Sequence, residues 1–211
     1  IVFHLAAIAD IVPSIQKPLE YLNNNFTGTL NILECMRAHN VRKIIYAASA
    51  SCYGLTNKFP TKETEKIDTA YPYAFSKYLS ELAIIHWAKV YGIKFISLRL
   101  FNVYGLRSRT TGAYGAVMGV FLKQKLSNKP FTVVGDGNQL RDFVNVKDVA
   151  KAFFKAGFSK VSNKILNVGT SSPQSINKLV SLLGGKTIKI LKRPGEPDKS
   201  QAGIKKIKKY L

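Results

Sequence analysis

The amino-acid sequence predicts an α/β protein built on a doubly wound parallel β-sheet. Short apolar runs rich in β-branched residues, such as KIIYAAS at 43–49, are typical of strands that are buried on both faces. Segments of helical periodicity lie between these runs. Because strands that alternate with helices of this length form parallel β-α units, we expect helices on both faces of one sheet.

The first half of the chain alternates between the two patterns. The run IVFHLAA predicts a strand over Ile1–Ala7, and the periodic segment after it predicts a helix from Pro18 to about Asn40. The run KIIYAAS predicts a strand over Lys43–Ser49. A further periodic segment predicts a helix over Pro72–Tyr91, and KFISLRLFN then predicts a strand over Lys94–Asn102.

The second half continues the alternation with shorter elements. A helix is predicted around Tyr114–Leu126, and the runs FTVVG and RDFVNV each predict a strand. The periodic segment VKDVAKAFFKAGF predicts a helix, KILNVG predicts a strand, and a last amphipathic segment predicts a helix over Ser175–Leu183. We interpret the basic tail GIKKIKKYL as a helix with a solvated face.

The charge of the chain points to an anionic partner. There are 32 Lys and Arg residues against 12 Asp and Glu residues, which gives a formal net charge of +20. Nucleic acid, a membrane surface and small molecules that carry phosphate all fit this charge, as does a simple bias toward lysine. A nucleic-acid partner is not favoured, because the sequence lacks a recognition motif and aromatic residues interleaved with the basic ones.

The composition also bears on metal binding and on the cellular location of the protein. Cys35 and Cys52 lack the spacing of a metal knuckle, and the three histidines are scattered, so we expect no metal. The apolar N-terminal run is broken by Asp10 and Pro13, so it predicts neither a signal peptide nor a membrane span. We expect a cytoplasmic protein without a membrane partner. Because the chain opens on a buried-looking strand, we also expect the N-terminal part of the sheet to be missing.

A tyrosine and a lysine lie one helical turn apart at the predicted start of the Pro72–Tyr91 helix. Residues four apart share a helix face, so Tyr73 and Lys77 are expected to point in the same direction. Pro72 suits the first turn of a helix and keeps Tyr71 out of helical geometry. A nearby ammonium favours the phenolate form of tyrosine, so the pair could remove a proton from an alcohol. The spacing alone also fits an ordinary surface pair.

Other segments strengthen the catalytic interpretation. The strand that ends in YAASASCYG offers hydroxyls at Ser49 and Ser51 at the carboxyl edge of the sheet, where such folds bind ligands. A hydroxyl at a strand end, followed by Tyr-x-x-x-Lys on the next helix, is the order of residues in short-chain dehydrogenases/reductases. The chain resembles the extended branch of that superfamily, the NAD-dependent nucleotide-sugar epimerases and dehydratases. The stretches that carry the resemblance are FHLAA, VPSIQKPLEYLNNNFTGTLNIL, YAASASCYG, YPYAFSKYLSE, SLRLFNVYGLR, VVGDGNQLRDFVNVKDVA, NVGTS and KRPGEPD.

The resemblance implies a Rossmann-like fold, NAD as cofactor and a role for each matching residue. Ser49 matches the hydroxyl that binds the reacting sugar oxygen, Tyr73 matches the acid/base, and Lys77 matches the residue that lowers the pKa of the tyrosine and binds the nicotinamide ribose. Cofactor contacts are implied for Ala6, Ala7, Tyr73 and Lys77, and for Asn25, which matches an asparagine that supports the serine-bearing strand end. Substrate contacts are implied for Ser51, Asn102, Arg141 and Arg193.

The residues at the strand end bear on which reaction is catalysed. Related sugar 4,6-dehydratases carry Thr-Asp-Glu at the position of Ser49, Ala50 and Ser51 and use the two carboxyl groups in eliminating water. Without those groups, the resemblance implies a UDP-sugar 4-epimerase that acts on UDP-glucose/UDP-galactose or their N-acetyl forms. A decarboxylase, a 4,6-dehydratase or a 4-keto reductase of the same superfamily remains an alternative. So does a non-catalytic relative that binds RNA or protein.

The resemblance also implies a division of the chain. Residues 1–105 are expected to form the C-terminal half of the NAD-binding domain and 106–140 a substrate-binding insertion. Residues 141–170 are expected to return to the sheet and 171–211 to belong to the substrate region, which is truncated at its C-terminus. The resemblance also implies a homodimer through the predicted 18–40 and 72–91 helices. The apolar residues of the 72–91 helix fit a deeply buried helix as well.

Overall fold

A computed structural model of the protein describes residues 1–108, 110, 117–191 and 196–211. The strands within these ranges are β1 (Val2–His4), β2 (Lys43–Ser49), β3 (Lys94–Leu100), β4 (Asn102–Tyr104), β5 (Phe131–Val134), β6 (Leu140–Arg141), β7 (Phe143–Asn145), β8 (Lys164–Val168), β9 (Gln174–Ser175) and β10 (Thr187–Ile190). The helices are α1 (Ile11–Gln16), α2 (Pro18–Tyr21), α3 (Gly28–Ala38), α4 (Pro72–Tyr91), α5 (Val117–Leu126), α6 (Val146–Phe158), α7 (Ile176–Leu183) and α8 (Lys205–Tyr210). A π-helical segment spans Leu22–Thr27, and a 3₁₀ turn spans Ala50–Tyr53.

The central sheet positions the ends of its strands at one edge. Its strands are all parallel in the order β1-β2-β3-β8 within the described part of the chain. Ser49 at the end of β2 pairs with Leu100 of β3, and Leu100 pairs with Val168 of β8. Because the three strands end level with one another, the chain leaves the sheet at a common carboxyl edge, which is where parallel sheets bind ligands.

Helices cover both faces of this sheet. On one face, α3 and α4 pack against β2 and bury Leu33, Ile84 and Tyr46. On the other face, α6 packs over the sheet and buries Phe153 among residues of β3 and β8, such as Leu98. The strands are therefore apolar on both sides, as expected for a doubly wound sheet.

A smaller α/β region lies beside the carboxyl edge. Its core contains Phe121 of α5, Phe131 and Val133 of β5, and Ile176 and Leu179 of α7. The strand β10 pairs with β5 in parallel. Two short strand pairs, β4 with β7 and β6 with β9, carry the chain between the sheet and this region, so Asn102 and Arg141 lie where the two regions meet.

The structure confirms the predicted doubly wound α/β class, and it confirms several predicted boundaries. The predicted strand over Lys43–Ser49 and the helices over Pro72–Tyr91 and 146–158 agree with β2, α4 and α6. The predicted start of the helix at Tyr114 lies outside the described residues, and the described part is α5.

The single strand predicted for RDFVNV is divided at Asp142 into β6 and β7. Three predicted elements in the first half of the chain also differ from the structure. The first strand ends at His4, because the chain beyond it leaves the sheet and Ile8 bonds to the side chain of Asn25 instead. The predicted 18–40 helix is divided by the π-helical segment, and α1 precedes it. The predicted strand 94–102 is interrupted at Phe101, because the N–H of Phe101 donates to β8 whereas that of Asn102 donates to Asp142.

The basic tail forms α8, as interpreted, but it is not solvated all round. Lys205, Lys208 and Lys209 are exposed, whereas Ile207 and Tyr210 pack against the core under α6. The charge of this segment therefore lies on the outer face of a docked helix. Within the described ranges, none of the helices combines the length and the apolar character that crossing a bilayer requires.

Candidate active site

A cleft of about 720 Å³ opens at the carboxyl edge of the sheet, between the sheet and the smaller region. Most of the residues that the sequence singled out line it, namely Ala7, Ser49, Ser51, Tyr73, Lys77, Asn102 and Arg141. Ala6 and Asn25 are not among its lining residues, and Arg193 lies outside the described residues. The structure therefore brings together side chains from β2, β4, β6 and α4 that are up to 92 positions apart in the sequence.

The hydroxyl of Ser49 lies at the centre of a small hydrogen-bond network. Ser49 ends β2 and caps the 3₁₀ turn, where its Oγ accepts a hydrogen bond from the N–H of Ser51 at 3.2 Å. The two serine hydroxyls are 2.8 Å apart. The Ser49 side chain also acts on the phenol of Tyr73, where it opposes the rise in pKa that burial causes. The strand-end hydroxyl and the helix-borne tyrosine that the sequence singled out therefore lie next to each other.

Tyr73 is positioned by the first turn of α4. Pro72 occupies the start of the helix, and Tyr71 before it is extended, with φ −143° and ψ 154°. This geometry was expected from the sequence, and it directs the Tyr73 side chain toward the end of β2. The aromatic ring of Tyr21 contacts that of Tyr73 edge to face, with the centroids 6.3 Å apart.

The electrostatics of Tyr73 differ from the expectation. Burial raises the pKa of Tyr73, the hydrogen bond from Ser49 opposes the rise, and the charge of Asp10 adds to it. Lys77 was expected to lower this pKa, but in the structure it is not among the groups that do so. The physical reason is that the loss of solvation at the phenol outweighs the favourable contacts that it makes.

Lys77 is a buried ammonium, 4% exposed, that lies over an aromatic ring. Its Nζ is 4.4 Å from the centroid of the Tyr46 ring, which is a cation–π arrangement. Burial lowers the pKa of Lys77 from 10.5 to about 7. Among the described residues, no carboxylate lies within salt-bridge distance of Lys77. A buried amine of this kind can change its charge near neutral pH, and it is available to a ligand in the cleft.

Asn25 has a structural role that the sequence did not predict. It lies in the π-helical segment, where its Oδ1 accepts from the N–H of Ile8 at 2.8 Å and its Nδ2 donates to the carbonyl of Ile8 at 3.0 Å. Nδ2 also donates to the hydroxyl of Ser76 at 2.9 Å. Asn25 therefore ties the segment after β1 to α4. The resemblance implied that Asn25 supports the serine-bearing end of β2, but these side-chain hydrogen bonds go to Ile8 and Ser76 instead.

Arg141 lies at the far end of the cleft and is held by protein groups. Its guanidinium donates to Glu196 Oε1 and to the carbonyl of Pro197, both at 2.7 Å. Asn102, which also lines the cleft, donates weakly to the carbonyl of Asp142 and to Ser200 at 3.3–3.4 Å. The predicted substrate contacts at Arg141 and Asn102 are thus placed in the cleft, and Arg141 has a carboxylate partner there.

Sequence reasoning missed three side chains around the site. Glu196 belongs to the quoted KRPGEPD stretch, of which only the arginine was singled out. Asp142 follows Arg141 and is fully buried, and its carboxylate accepts four hydrogen bonds at 2.6–2.8 Å from the backbone of Thr170, Ser171 and Ala202 and the Thr170 hydroxyl. Tyr53, at the end of the 3₁₀ turn, lines the cleft. A buried aspartate inside an otherwise apolar motif was the one signal that could have identified Asp142.

Comparison with known proteins identifies the family of this chain. Residues 1–169 match the NAD dependent epimerase/dehydratase family. A UDP-glucuronate 4-epimerase of Thermodesulfobacterium geofontis is 35% identical over 186 residues, which is 86% of this chain. The chain spans little more than half the length of such curated relatives, 55–59% for three of them.

Solved structures show the same fold in longer chains. The UDP-N-acetylglucosamine 4-epimerase from Methanobrevibacter ruminantium, in complex with UDP-N-acetylmuramic acid, superposes with a TM-score of 0.94 at 33% identity. That match covers 99% of this chain and 69% of the other. The UDP-glucose 4-epimerase of Thermus thermophilus in complex with NAD gives 0.91 at 30% identity, with coverage of 100% and 71%. From the family match, these similarities and the Ser49–Tyr73–Lys77 cleft, the chain is a member of the NAD dependent epimerase/dehydratase family.

Proposed function

We propose that this chain contains the catalytic groups of an NAD-dependent UDP-sugar 4-epimerase. The observation that carries the proposal is the placement of the Ser49 side chain next to the phenol of Tyr73 at the carboxyl edge of the sheet, with the buried ammonium of Lys77 one helical turn away in the same cleft. A strand-end hydroxyl, a phenol and an amine in one cleft form a set suited to acid/base chemistry on a sugar alcohol.

Each of the three residues has a distinct part in this chemistry. The Ser49 hydroxyl binds the 4-oxygen of the sugar and orients it toward Tyr73. The phenolate of Tyr73 then accepts the proton of the 4-hydroxyl, and the phenol returns a proton when the alcohol re-forms. In the structure the Ser49 side chain opposes the rise in pKa that burial imposes on Tyr73. Lys77 is proposed to act on the ribose of the cofactor.

The residues of the cleft fit NAD as the cofactor. The Lys77 ammonium, which has no carboxylate partner among the described residues, is a suitable donor to the hydroxyls of a ribose. The small side chains of Ala7, Ala47 and Ala48 leave room for a flat ring beside Tyr73. When bound, NAD accepts hydride from a sugar carbon and returns it, so an epimerase needs it only in catalytic amount. Supporting this choice, the T. thermophilus relative was solved with NAD.

The substrate is proposed to be a UDP-sugar held at the Arg141 end of the cleft. A guanidinium presents a planar fork of donors that suits a diphosphate, and Asn102 offers an amide nearby. Arg193, from the quoted KRPGEPD stretch, is proposed as a second phosphate contact. UDP is chosen because two of the relatives named above are UDP-glucuronate 4-epimerase and UDP-N-acetylglucosamine 4-epimerase. Epimerisation is favoured over dehydration because Ala50 and Ser51 carry no carboxyl group.

Domain organisation, assembly and location are part of the same proposal. Residues 1–105 and 141–170 are proposed to form the cofactor half, and 106–140 and 171–211 the substrate half. A homodimer is proposed through α3 and α4, because Phe75 and Leu82 lie two turns apart on α4 and are 43% and 41% exposed. The two free cysteines suit a reducing compartment, which supports a cytoplasmic location.

A turnover assay on the full-length protein tests this function. UDP-, GDP- and dTDP-sugars are each incubated with the protein and with NAD at a small fraction of the substrate concentration. The proposal predicts interconversion of a UDP-sugar and its 4-epimer without net change in NAD. Reduction of NAD in proportion to product would show a net redox enzyme instead. Absence of turnover together with salt-sensitive RNA binding would show a non-catalytic relative.

A further inference from the structure

A buried polar cluster lies under the cleft and joins the two elements that carry Ser49 and Tyr73. Its centre is Arg99 on β3, the strand between β2 and β8, and the residue is 3% exposed. Neither Arg99 nor its partner Glu81 lines the cleft, and the chemistry proposed above uses neither of them. A buried charged pair is costly to desolvate and is retained where it fixes one arrangement of the elements that it joins.

On one side, Arg99 is bound to the helix that carries Tyr73. Its NH2 and Nε donate to the two carboxylate oxygens of Glu81 at 2.5 and 3.1 Å, a bidentate pair. Glu81 lies on α4 four residues after Lys77 and eight after Tyr73, so the three side chains follow one another along one face of the helix. Glu81 also accepts from the Ser97 hydroxyl at 2.6 Å, which fixes the helix against β3.

On the other side, Arg99 is bound to the turn that begins at Ser49. Its NH1 donates to the hydroxyl of Tyr53 at 2.9 Å, and Tyr53 in turn donates to Asn167 Oδ1 on β8 at 2.7 Å. Tyr53 ends the 3₁₀ turn that Ser49 caps. Its ring also lies against the guanidinium, 5.0 Å from the centroid.

We propose that Arg99 is a positioning residue that sets the separation between the Ser49 and Tyr73 hydroxyls. One rigid guanidinium binds the helix through Glu81 and the serine-bearing turn through Tyr53, so neither element can shift without breaking a buried charge-assisted hydrogen bond. The catalytic meaning of this coupling rests on the function proposed above. The coupling itself is a property of the folded chain and does not depend on that function.

Fluorine NMR tests the coupling without substrate, cofactor or turnover. The protein is labelled with 3-fluorotyrosine, and the resonance of Tyr73 is assigned as the one that disappears in Tyr73→Phe. Ser49→Ala defines the displacement of that resonance when the contact is lost. Arg99→Met is expected to displace it in the same direction by about half as much or more. The double variant Ser49→Ala/Arg99→Met is expected to show no further displacement beyond Ser49→Ala, because both changes remove the same contact.

Additivity separates positioning from a direct effect of the Arg99 charge. A direct effect on the ring of Tyr73 would add to the displacement caused by Ser49→Ala, and this result would overturn the proposal. So would an unmoved Tyr73 resonance in Arg99→Met, or a Ser49→Ala spectrum identical to that of the unmodified protein. If only the turnover assay fails, the proposed function is contradicted, whereas the coupling measured by NMR is unaffected.

Two further variants cover the case in which Arg99→Met leaves an unstable protein. Glu81→Leu/Arg99→Met removes the pair without leaving an unpaired buried charge, and Tyr53→Phe removes one hydroxyl and no charge. Both are expected to displace the Tyr73 resonance toward that of Ser49→Ala. The matched control is Arg37→Met, which removes an exposed Arg–Glu pair on α3 and is expected to leave the resonance in place. Equal spectra for Tyr53→Phe, Glu81→Leu/Arg99→Met and the unmodified protein would contradict the proposal.

Discussion

The buried charge of Lys77 should make its contribution to stability depend on pH. In the unfolded chain the ammonium keeps its proton up to about pH 10.5, whereas the folded protein releases it at about pH 7. Folding therefore expels a proton between these values, and the cost of burying Lys77 falls as pH rises through this range. Each unit of pKa shift corresponds to about 1.4 kcal/mol.

Lys77→Met is accordingly expected to raise the free energy of unfolding at pH 7, by on the order of 3 kcal/mol, because it removes the desolvated charge. The gain should shrink as the pH approaches 10. Urea denaturation of both proteins at pH 7 and pH 10 measures the difference. A gain of equal size at both pH values would show that the Lys77 amine is not desolvated in the folded protein.

The positions and contacts of individual site residues could be predicted from the sequence to different extents. The places of Ser49, Tyr73 and Lys77 at a strand end and a helix start were predictable, because local pattern determines such places. Their catalytic roles came from the family resemblance and stay predictions. The Arg141–Glu196 pair was not predictable, because it joins residues 55 positions apart whose contact depends on the fold of the smaller region. The pKa of Tyr73 was wrongly anticipated, because burial cannot be read from a four-residue spacing.

At the scale of secondary structure, the π-helical segment depends on one buried asparagine. Asn25→Ala removes its three side-chain hydrogen bonds and leaves the half-buried N–H and carbonyl of Ile8 without these partners. We expect a loss of about 3 kcal/mol in the free energy of unfolding, since each buried group left unsatisfied costs about 1–3 kcal/mol.

The neighbouring Asn24 provides the control for this prediction. Its Nδ2 donates to the carbonyl of Glu20 in an exposed position, so Asn24→Ala should change stability by roughly 0.5 kcal/mol or less. Urea denaturation compares the two variants. Similar losses for Asn24→Ala and Asn25→Ala would contradict the assigned role of Asn25 in tying the segment after β1 to α4.

Strands and helices were predicted best where one pattern persists. β2, α4 and α6 have long, uninterrupted patterns, and their predicted bounds agree with the structure. The strand predicted over 94–102 was wrong at its end, because its apolar run continues while its hydrogen-bond partner changes from β8 to Asp142 and β7. The short α1 and β10 were not predicted, because each has too few residues to show a repeating pattern of apolar positions.

For the whole molecule, the edge of the central sheet at β1 exposes an apolar surface. Among the described strands only β2 pairs with β1, and Phe3 is 40% exposed there. On the adjacent α6, Phe154 and Phe158 are 64% and 67% exposed, with ring centroids 4.7 Å apart. An apolar patch beside an unpaired strand edge favours self-association.

Phe154→Gln/Phe158→Gln is therefore expected to raise the concentration at which the 211-residue chain begins to scatter light. Stability should change by roughly 0.5 kcal/mol or less per site, because the rings are exposed. The control is Phe153→Gln, next in the sequence but 6% exposed, which should destabilise the fold strongly. Unchanged scattering by the double variant would show that this patch does not drive association.

The central claim is that Tyr73 transfers the proton of the sugar hydroxyl, and Tyr73→Phe in the full-length protein tests it most directly. The substitution removes one oxygen and keeps the ring, so substrate binding should persist. We expect kcat for 4-epimerisation of the UDP-sugar to fall by roughly 100- to 10,000-fold, with the substrate dissociation constant within about threefold of its original value. A variant that turns over at the original rate would contradict the account.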